Sequence, residues 1–207
     1  MARENVILVH GIWVRGFTMY PLARALRKQG FRPHIFSYPS RKRPLAEQAR
    51  RLGEFTQNRC DGPVHFVAHS MGGLLLRHLA VQCPALFDRV VSLCSPHQGS
   101  DLARQLKARN LDWLMGQSWE RGLDGDLPPW PTSIPLGSLA GTRPVGLGHL
   151  FSRYHAPNDG TVLLEETRLS GMSDWRALPY SHTGMLFKPQ AAREVVSFLK
   201  QGCFSTP

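Results

Sequence analysis

"VHFVAHSMGGLLLRHL", residues 64–79, begins as an apolar run of strand length, breaks at a His-Ser pair, and resumes after two glycines as a leucine-rich helical pattern. Val64 to Ala68 reads as a strand. Met71 to Gln82 reads as a helix with apolar residues on nearly every side, the pattern of an element buried all round. Ser70 therefore stands where a strand turns sharply into a helix. Such a turn brings two backbones close together and needs small residues two positions before and two after the serine, a requirement written as G-x-S-x-G. Ala68 fills the first position with one extra methyl group, and Gly72, followed by Gly73, fills the second. A serine so placed rises above the C-terminal edge of a sheet, where open α/β folds bind ligands, with a helix N-terminus aimed at it.

The same β-α rhythm runs outward in both directions. Asn5 to Val9, His34 to Tyr38, Val90 to Cys94, Ile134 to Ala140 and Trp175 to Leu178 read as strands. Tyr20 to Gln29, Leu45 to Gln57, Leu102 to Leu114 and Pro189 to Lys200 read as helices. The last has Pro189 in its first turn and Gly202 just past its end, as helix termini prefer. Apolar strands alternating with helices imply a mostly parallel six-stranded sheet with helices on both faces. The length suits one domain over residues 1–207. Only Asp112 to Thr132, "DWLMGQSWERGLDGDLPPWPT", lacks a period. An irregular stretch that long is expected either to cover or line a pocket, or to pack as a surface excursion anchored by its tryptophans.

Composition narrows the function classes. No stretch approaches the roughly 20 apolar residues of a membrane span. The N-terminal apolar run, Val6 to Val9, is too short for a signal-peptide core, so a cytoplasmic protein is the expectation. Cys60, Cys83, Cys94 and Cys203 form no C-x-x-C pair and suggest reduced thiols, with neither a zinc site nor a disulfide framework. The net charge of +10 is dispersed. Its densest cluster, Arg41-Lys42-Arg43 with Arg50 and Arg51, comes without a nucleic-acid-binding signature, so a solvated face is expected and no nucleic acid partner.

A serine hydroxyl is a poor nucleophile at neutral pH. It needs a neutral imidazole to take its proton and a carboxylate to hold that imidazole in the right tautomer. With a serine elbow of this type the acid and then the histidine follow in the chain. Of nine histidines, His10, His34, His65 and His69 precede Ser70, His78 lies inside the helix, and His97, His149, His155 and His182 remain. His182, in "YSHTGML" between the last strand and the last helix, sits at the same sheet edge as the elbow and fits best. Asp159, in "APNDGTV" between the last two strands, fits the acid, with Asp101 after the fourth strand as the alternative. Acyl transfer also needs donors for an oxyanion. The Met71 amide follows the serine directly, and "VHGIW" after the first strand offers Ile12, with Trp13 as the fallback.

Taken together, "HGIW", "AHSMGG", "SPHQGS", "NDGTV" and "SHTGM" resemble the α/β-hydrolase superfamily, and within it the small bacterial lipases and esterases built on a minimal six-stranded core. The resemblance implies the three-layer α/β-hydrolase fold and a Ser70, Asp159, His182 triad. "SPHQGS" resembles a segment lining such sites, which implies His97 as a pocket wall. Some of those small lipases share alanine at the position of Ala68. Trp13 stands where several lipases have a second glycine, which implies a narrowed acyl entrance or an aromatic wall. No metal-ligand set of the larger bacterial lipases is matched, and no cofactor is implied. The expected function is hydrolysis of small-molecule or lipid carboxylic esters through an acyl-serine. An acyl thioesterase and a non-catalytic ligand-binding protein of the same fold are the alternatives.

Overall fold

The computed structural model describes residues 3–146 and 156–205. His149 and His155, two of the histidines weighed as bases, lie outside them. The strands are β1 (Asn5–Val9), β2 (Arg32–Phe36), β3 (Val64–His69), β4 (Phe87–Leu93), β5 (Leu136–Gly141) and β6 (Asp174–Leu178). The helices are α1 (Tyr20–Lys28), α2 (Leu45–Gln57), α3 (Met71–Gln82), α4 (Asp101–Ala108) and α5 (Pro189–Gln201). One six-stranded sheet runs in the order β2-β1-β3-β4-β5-β6. Every neighbouring pair is parallel, so all six strands deliver their C-terminal ends to one edge.

Alternation along β1 builds two cores. Ile7 and Val9 pack with Leu45 and Leu52 of α2 and Leu74, Leu75 and Leu79 of α3. Val6 and Leu8 face the other way and pack with Leu22 and Leu26 of α1 and Val195, Phe198 and Leu199 of α5. Each such side chain, fully buried, contributes roughly 1.5–3 kcal/mol, so both faces are sealed and function is left to the edges. Within α3, Met71 through Ala80 is buried without a break. No helix among the described residues is long and apolar enough to cross a membrane.

Strand β4 begins at Phe87 rather than Val90 and β5 at Leu136 rather than Ile134, and two elements end well short of their expected bounds. Strand β2 ends at Phe36 rather than Tyr38, because Tyr38 leaves the sheet for His10: its N–H donates to His10 Nε2 (3.2 Å) and its hydroxyl to the His10 carbonyl (3.0 Å). Helix α4 stops at Ala108 rather than Leu114, because Asn110 enters the left-handed region at φ 56°. Leu111 and Leu114 keep the apolar spacing of a helix, but Leu111 caps and Leu114 ends a separate 3-10 helix, Asp112–Leu114.

Candidate active site

The end of β3 dictates the geometry of everything around it. Ser70 holds φ 55° and ψ −128°, a conformation that costs a non-glycine residue about 1–3 kcal/mol. The surrounding packing enforces it: the Ser70 N–H donates to the Leu93 carbonyl of β4 at 2.8 Å. A Cβ added at Gly72 would lie 2.7 Å from the Val9 carbonyl and 2.9 Å from that of His10, so the first turn of α3 crosses the end of β1 only without a side chain. This is the small-residue requirement read from the sequence, now with its obstacle named.

The hydroxyl lifted by this turn meets two side chains from the far end of the chain. Ser70 Oγ lies 3.0 Å from His182 Nε2, and His182 Nδ1 lies 2.8 Å from Asp159 Oδ2. Asp159 and His182 are further tied by a backbone bond, His182 N–H to the Asp159 carbonyl at 2.9 Å. The second carboxylate oxygen of Asp159 accepts the N–H groups of Thr161 (2.9 Å) and Val162 (2.7 Å). Burial alone would raise the Asp159 pKa. The charge and hydrogen bond of His182, with the Val162 amide and the Cys94 thiol, outweigh it and hold the carboxyl below its ordinary value. Asp159 is thus an anion that accepts from Nδ1–H, which leaves the lone pair of Nε2 for the Ser70 proton. His69, buried beside this pair, has its pKa pushed down to about 3, by burial and then by the neighbouring His182. It stays neutral and donates from Nε2 to the His182 carbonyl at 3.0 Å.

Opposite Ser70, His10 sets the loop after β1. Its Nε2 accepts from Tyr38 N–H, so Nδ1 carries the proton and donates to the Gly11 carbonyl at 2.8 Å. Burial lowers the His10 pKa and keeps this neutral form. The Gly11–Ile12 peptide is trans, so its N–H points away from the carbonyl that His10 holds. Ile12 and Ser70 line one cavity. Neither Ile12 nor Met71 donates its backbone N–H to an acceptor among the described residues.

Two residues singled out in the sequence have other surroundings. His97 does not stand on the cavity wall. Its segment turns the imidazole inward, 2% exposed, where Nε2 meets Ser92 Oγ at 2.9 Å and its carbonyl accepts from Arg77. Asp101 lies away from His182 and accepts from Gln105 at 2.6 Å in the first turn of α4, whose cap is Ser100 accepting from Ala103 N–H at 3.2 Å. Residues 112–132 are tied down rather than loose. Arg77 donates to the Pro128 and Leu127 carbonyls, His78 bonds to the Arg121 carbonyl, and Trp130 is buried. Leu114 from this stretch lines the cavity.

Sequence reasoning missed Glu166. It is 5% exposed and accepts from Leu163 N–H (2.9 Å) and from Asp101 N–H, clamping the loop that carries Asp159 to the start of α4. Burial pushes its pKa up to about 7, against the pull of these donors and of Arg104. Unfolded, it ionises near 4.5, so between those two values the folded chain binds the extra proton and stability falls as pH rises. Glu166→Gln removes that slope. Urea midpoints measured from about pH 4.5 to 7.5 are expected to decline less in the variant than in the native chain, and parallel curves would contradict the clamp's protonation.

The cavity in front of Ser70 has a volume of about 500 Å³ and is walled mainly by Ile12, Trp13, Leu102, Leu106, Leu114 and Val145. That size is ordinary for a small-molecule site. The Trp13 indole donates to the Leu114 carbonyl at 2.8 Å, bridging the loop after β1 to the stretch after α4. Cys94, Asp159 and His182 place three potential metal donors within 4.8 Å. Burial, with Asp159 next, drives the Cys94 thiol well above its ordinary pKa, so it is a protonated neighbour of Asp159 rather than the thiolate a metal would need.

A search against curated proteins returns no significant match. Among solved structures, the mature lipase of Bacillus licheniformis is similar with a TM-score of 0.72 at 19% identity, over 98% of this chain and 93% of that one. A carboxylesterase of Bacillus subtilis is similar with a TM-score of 0.62 at 14% identity, over 95% and 84%. A metagenomic carboxyl esterase gives 0.68 at 16%, over 88% and 65%. At these identities the likeness is one of fold. The model of the alpha/beta hydrolase family matches residues 6–197, and with most of its length accounted for in this way the chain belongs to the α/β-hydrolase family.

Proposed function

We propose that this protein is a serine hydrolase of carboxylic esters, with Ser70 as nucleophile, His182 as general base and acid, and Asp159 orienting His182. The observation that carries the reading is the unbroken chain from Ser70 Oγ through His182 to Asp159, at 3.0 Å and 2.8 Å, opening onto a largely apolar cavity. Ser70 Oγ attacks the ester carbonyl carbon as its proton passes to His182 Nε2. The oxyanion of the tetrahedral intermediate is held by the Ile12 and Met71 amides. Collapse breaks the C–O bond, and the imidazolium protonates the departing alcohol. Water then gives a proton to His182 and attacks the acyl-serine; collapse breaks the acyl–Oγ bond, His182 returns the proton to Ser70 Oγ, and the acid leaves. Asp159 stabilises the imidazolium in both halves without taking its proton. Cofactor chemistry has no step in this sequence.

A panel of 4-nitrophenyl esters from acetyl to dodecanoyl, run beside the matching acyl thioesters, tests the reading. Ester turnover that weakens toward the long chains, as the Trp13 bridge across the cavity implies, is the expected result. Thioesters cleaved far faster than esters would move the substrate class. No turnover of either would overturn the proposal.

His10 supplies a further prediction. An oxyanion donor is worth about 10²–10³ in kcat, and His10 directs one such donor without touching the substrate. His10→Ala is expected to lower kcat on an aryl ester by about tenfold or more while changing KM less. A native kcat in a folded variant would show that the loop orients Ile12 unaided.

A further inference from the structure

Among the described residues the wall of the Ser70 cavity contains one arginine, and nothing in the proposed reaction uses it. Arg41 lines the cavity with Trp13, Leu114 and Ser70. Its position is built. The Ser40 carbonyl accepts from Ser118 Oγ and the Arg41 carbonyl from Gln117 N–H at 3.0 Å, so the chain on either side of the Arg41 Cα is tied to the stretch after α4. Gly116, at φ 58°, comes so near that an added Cβ would lie 2.3 Å from the Arg41 carbonyl. The guanidinium reaches the Trp113 carbonyl at 3.4 Å, beside the Trp13–Leu114 bridge.

What the guanidinium lacks is an anion. Among the described residues Arg41 has no carboxylate within ion-pair distance. Neighbouring Arg43 pairs with Glu47, whereas Lys42 adds a second positive charge. Among the described residues no aspartate or glutamate lines the cavity, and Asp159 stands behind His182. A guanidinium presents five donors in a planar fork that matches a carboxylate or a phosphate, and it remains charged at every working pH. On a mostly apolar wall that Ser70 also lines, such a group would suit a molecule with a reactive carbonyl at one place and a negative charge at another, separated by an apolar spacer.

Resting on the ester-hydrolase reading of Ser70, we propose that Arg41 is a specificity residue and that the preferred substrates are esters carrying a carboxylate or phosphate away from the scissile bond. The shared chemistry is a compact oxyanion of one or two negative charges. A carboxylate would come from the acyl half, as in a dicarboxylic acid monoester. A phosphate would come from the leaving group.

Paired substrates test this on the native chain. For the carboxylate, mono-4-nitrophenyl glutarate is compared with 4-nitrophenyl pentanoate. For the phosphate, butyryl-coenzyme A is compared with butyryl-N-acetylcysteamine. A charge-assisted contact predicts that kcat/KM for at least one charged member exceeds its neutral counterpart by about tenfold or more, mainly through KM, and that added salt narrows the gap. The pair that shows the excess identifies the source of the charge. Arg41→Met is expected to bring that ratio close to one, and Arg41→Lys to retain part of it, since an ammonium keeps the charge and loses the fork. Ratios near one for both pairs in the native chain overturn the inference while leaving ester hydrolysis at Ser70 standing. So does an excess that persists undiminished in Arg41→Met. If the native chain cleaves none of the four and a fluorophosphonate leaves Ser70 unmodified, the hydrolase reading itself falls, and the inference falls with it. Should Arg41→Met fail to fold, the native ratios and their salt dependence decide alone.

Discussion

Ser70→Ala is expected to abolish ester hydrolysis, on the order of a millionfold in kcat, while leaving the fold intact. The reason lies in what the hydroxyl touches. Among the described residues Ser70 Oγ has one hydrogen-bond partner, His182 Nε2, and both residues line a cavity. Removing the oxygen therefore leaves no orphaned group deep in the core, and the stability change should stay within about 1 kcal/mol. The left-handed turn is set by the Leu93 carbonyl and the crossing of α3 over β1, both independent of the side chain. Loss of turnover with an unchanged urea midpoint is thus the signature of a lost nucleophile. Turnover within tenfold of native would remove Ser70 from the mechanism.

Asp159→Asn is expected to lower kcat by about ten-thousandfold, again with little loss of structure. An asparagine there keeps an oxygen for the Thr161 and Val162 amides, so the loop remains satisfied. Its amide nitrogen then faces His182 Nδ1 as a donor. That contact favours the imidazole tautomer protonated on Nε2, which cannot accept the Ser70 proton. Asp101→Asn is the matched control. Asp101 meets Gln105 and Arg104 at the start of α4 and makes no contact with His182, so kcat should be unchanged. Steady-state kinetics on one aryl ester, with near-ultraviolet circular dichroism as the check on folding, separates the two carboxylates. An active Asp159→Asn beside an inactive Asp101→Asn would reverse the assignment.

The parts of the candidate site that chain order and local sterics determine are legible in the sequence. The small residues around Ser70 announce a strand-to-helix crossing because a side chain at Gly72 would strike the β1 carbonyls. His182 and Asp159 stand in connections at the C-terminal edge, where a parallel sheet collects its loops. What stayed hidden depends on contacts between distant segments. His10 looks like the end of a strand until Tyr38 turns out of β2 to reach it and thereby selects its tautomer. Glu166, in "LLEETRL", has no sequence signal of its burial, which comes with the bonds it accepts from Leu163 and, at the start of α4, Asp101. His97 illustrates the reverse error. Its motif resembles a pocket-lining segment, but the side chain turns inward to Ser92 of β4, a contact that the sequence does not announce. Apolar spacing also overstated α4, since Leu111 and Leu114 fit the period although Asn110 breaks the backbone.

The central claim is that His182 makes Ser70 a nucleophile toward acyl carbonyls, and covalent capture tests it most directly. The native chain is treated with a fluorophosphonate, digested, and the adduct located by mass spectrometry. The account predicts a single stoichiometric adduct on Ser70 that forms far more slowly in His182→Ala and is absent in Ser70→Ala. An adduct on another residue, or an unmodified Ser70 in a folded protein, would contradict it.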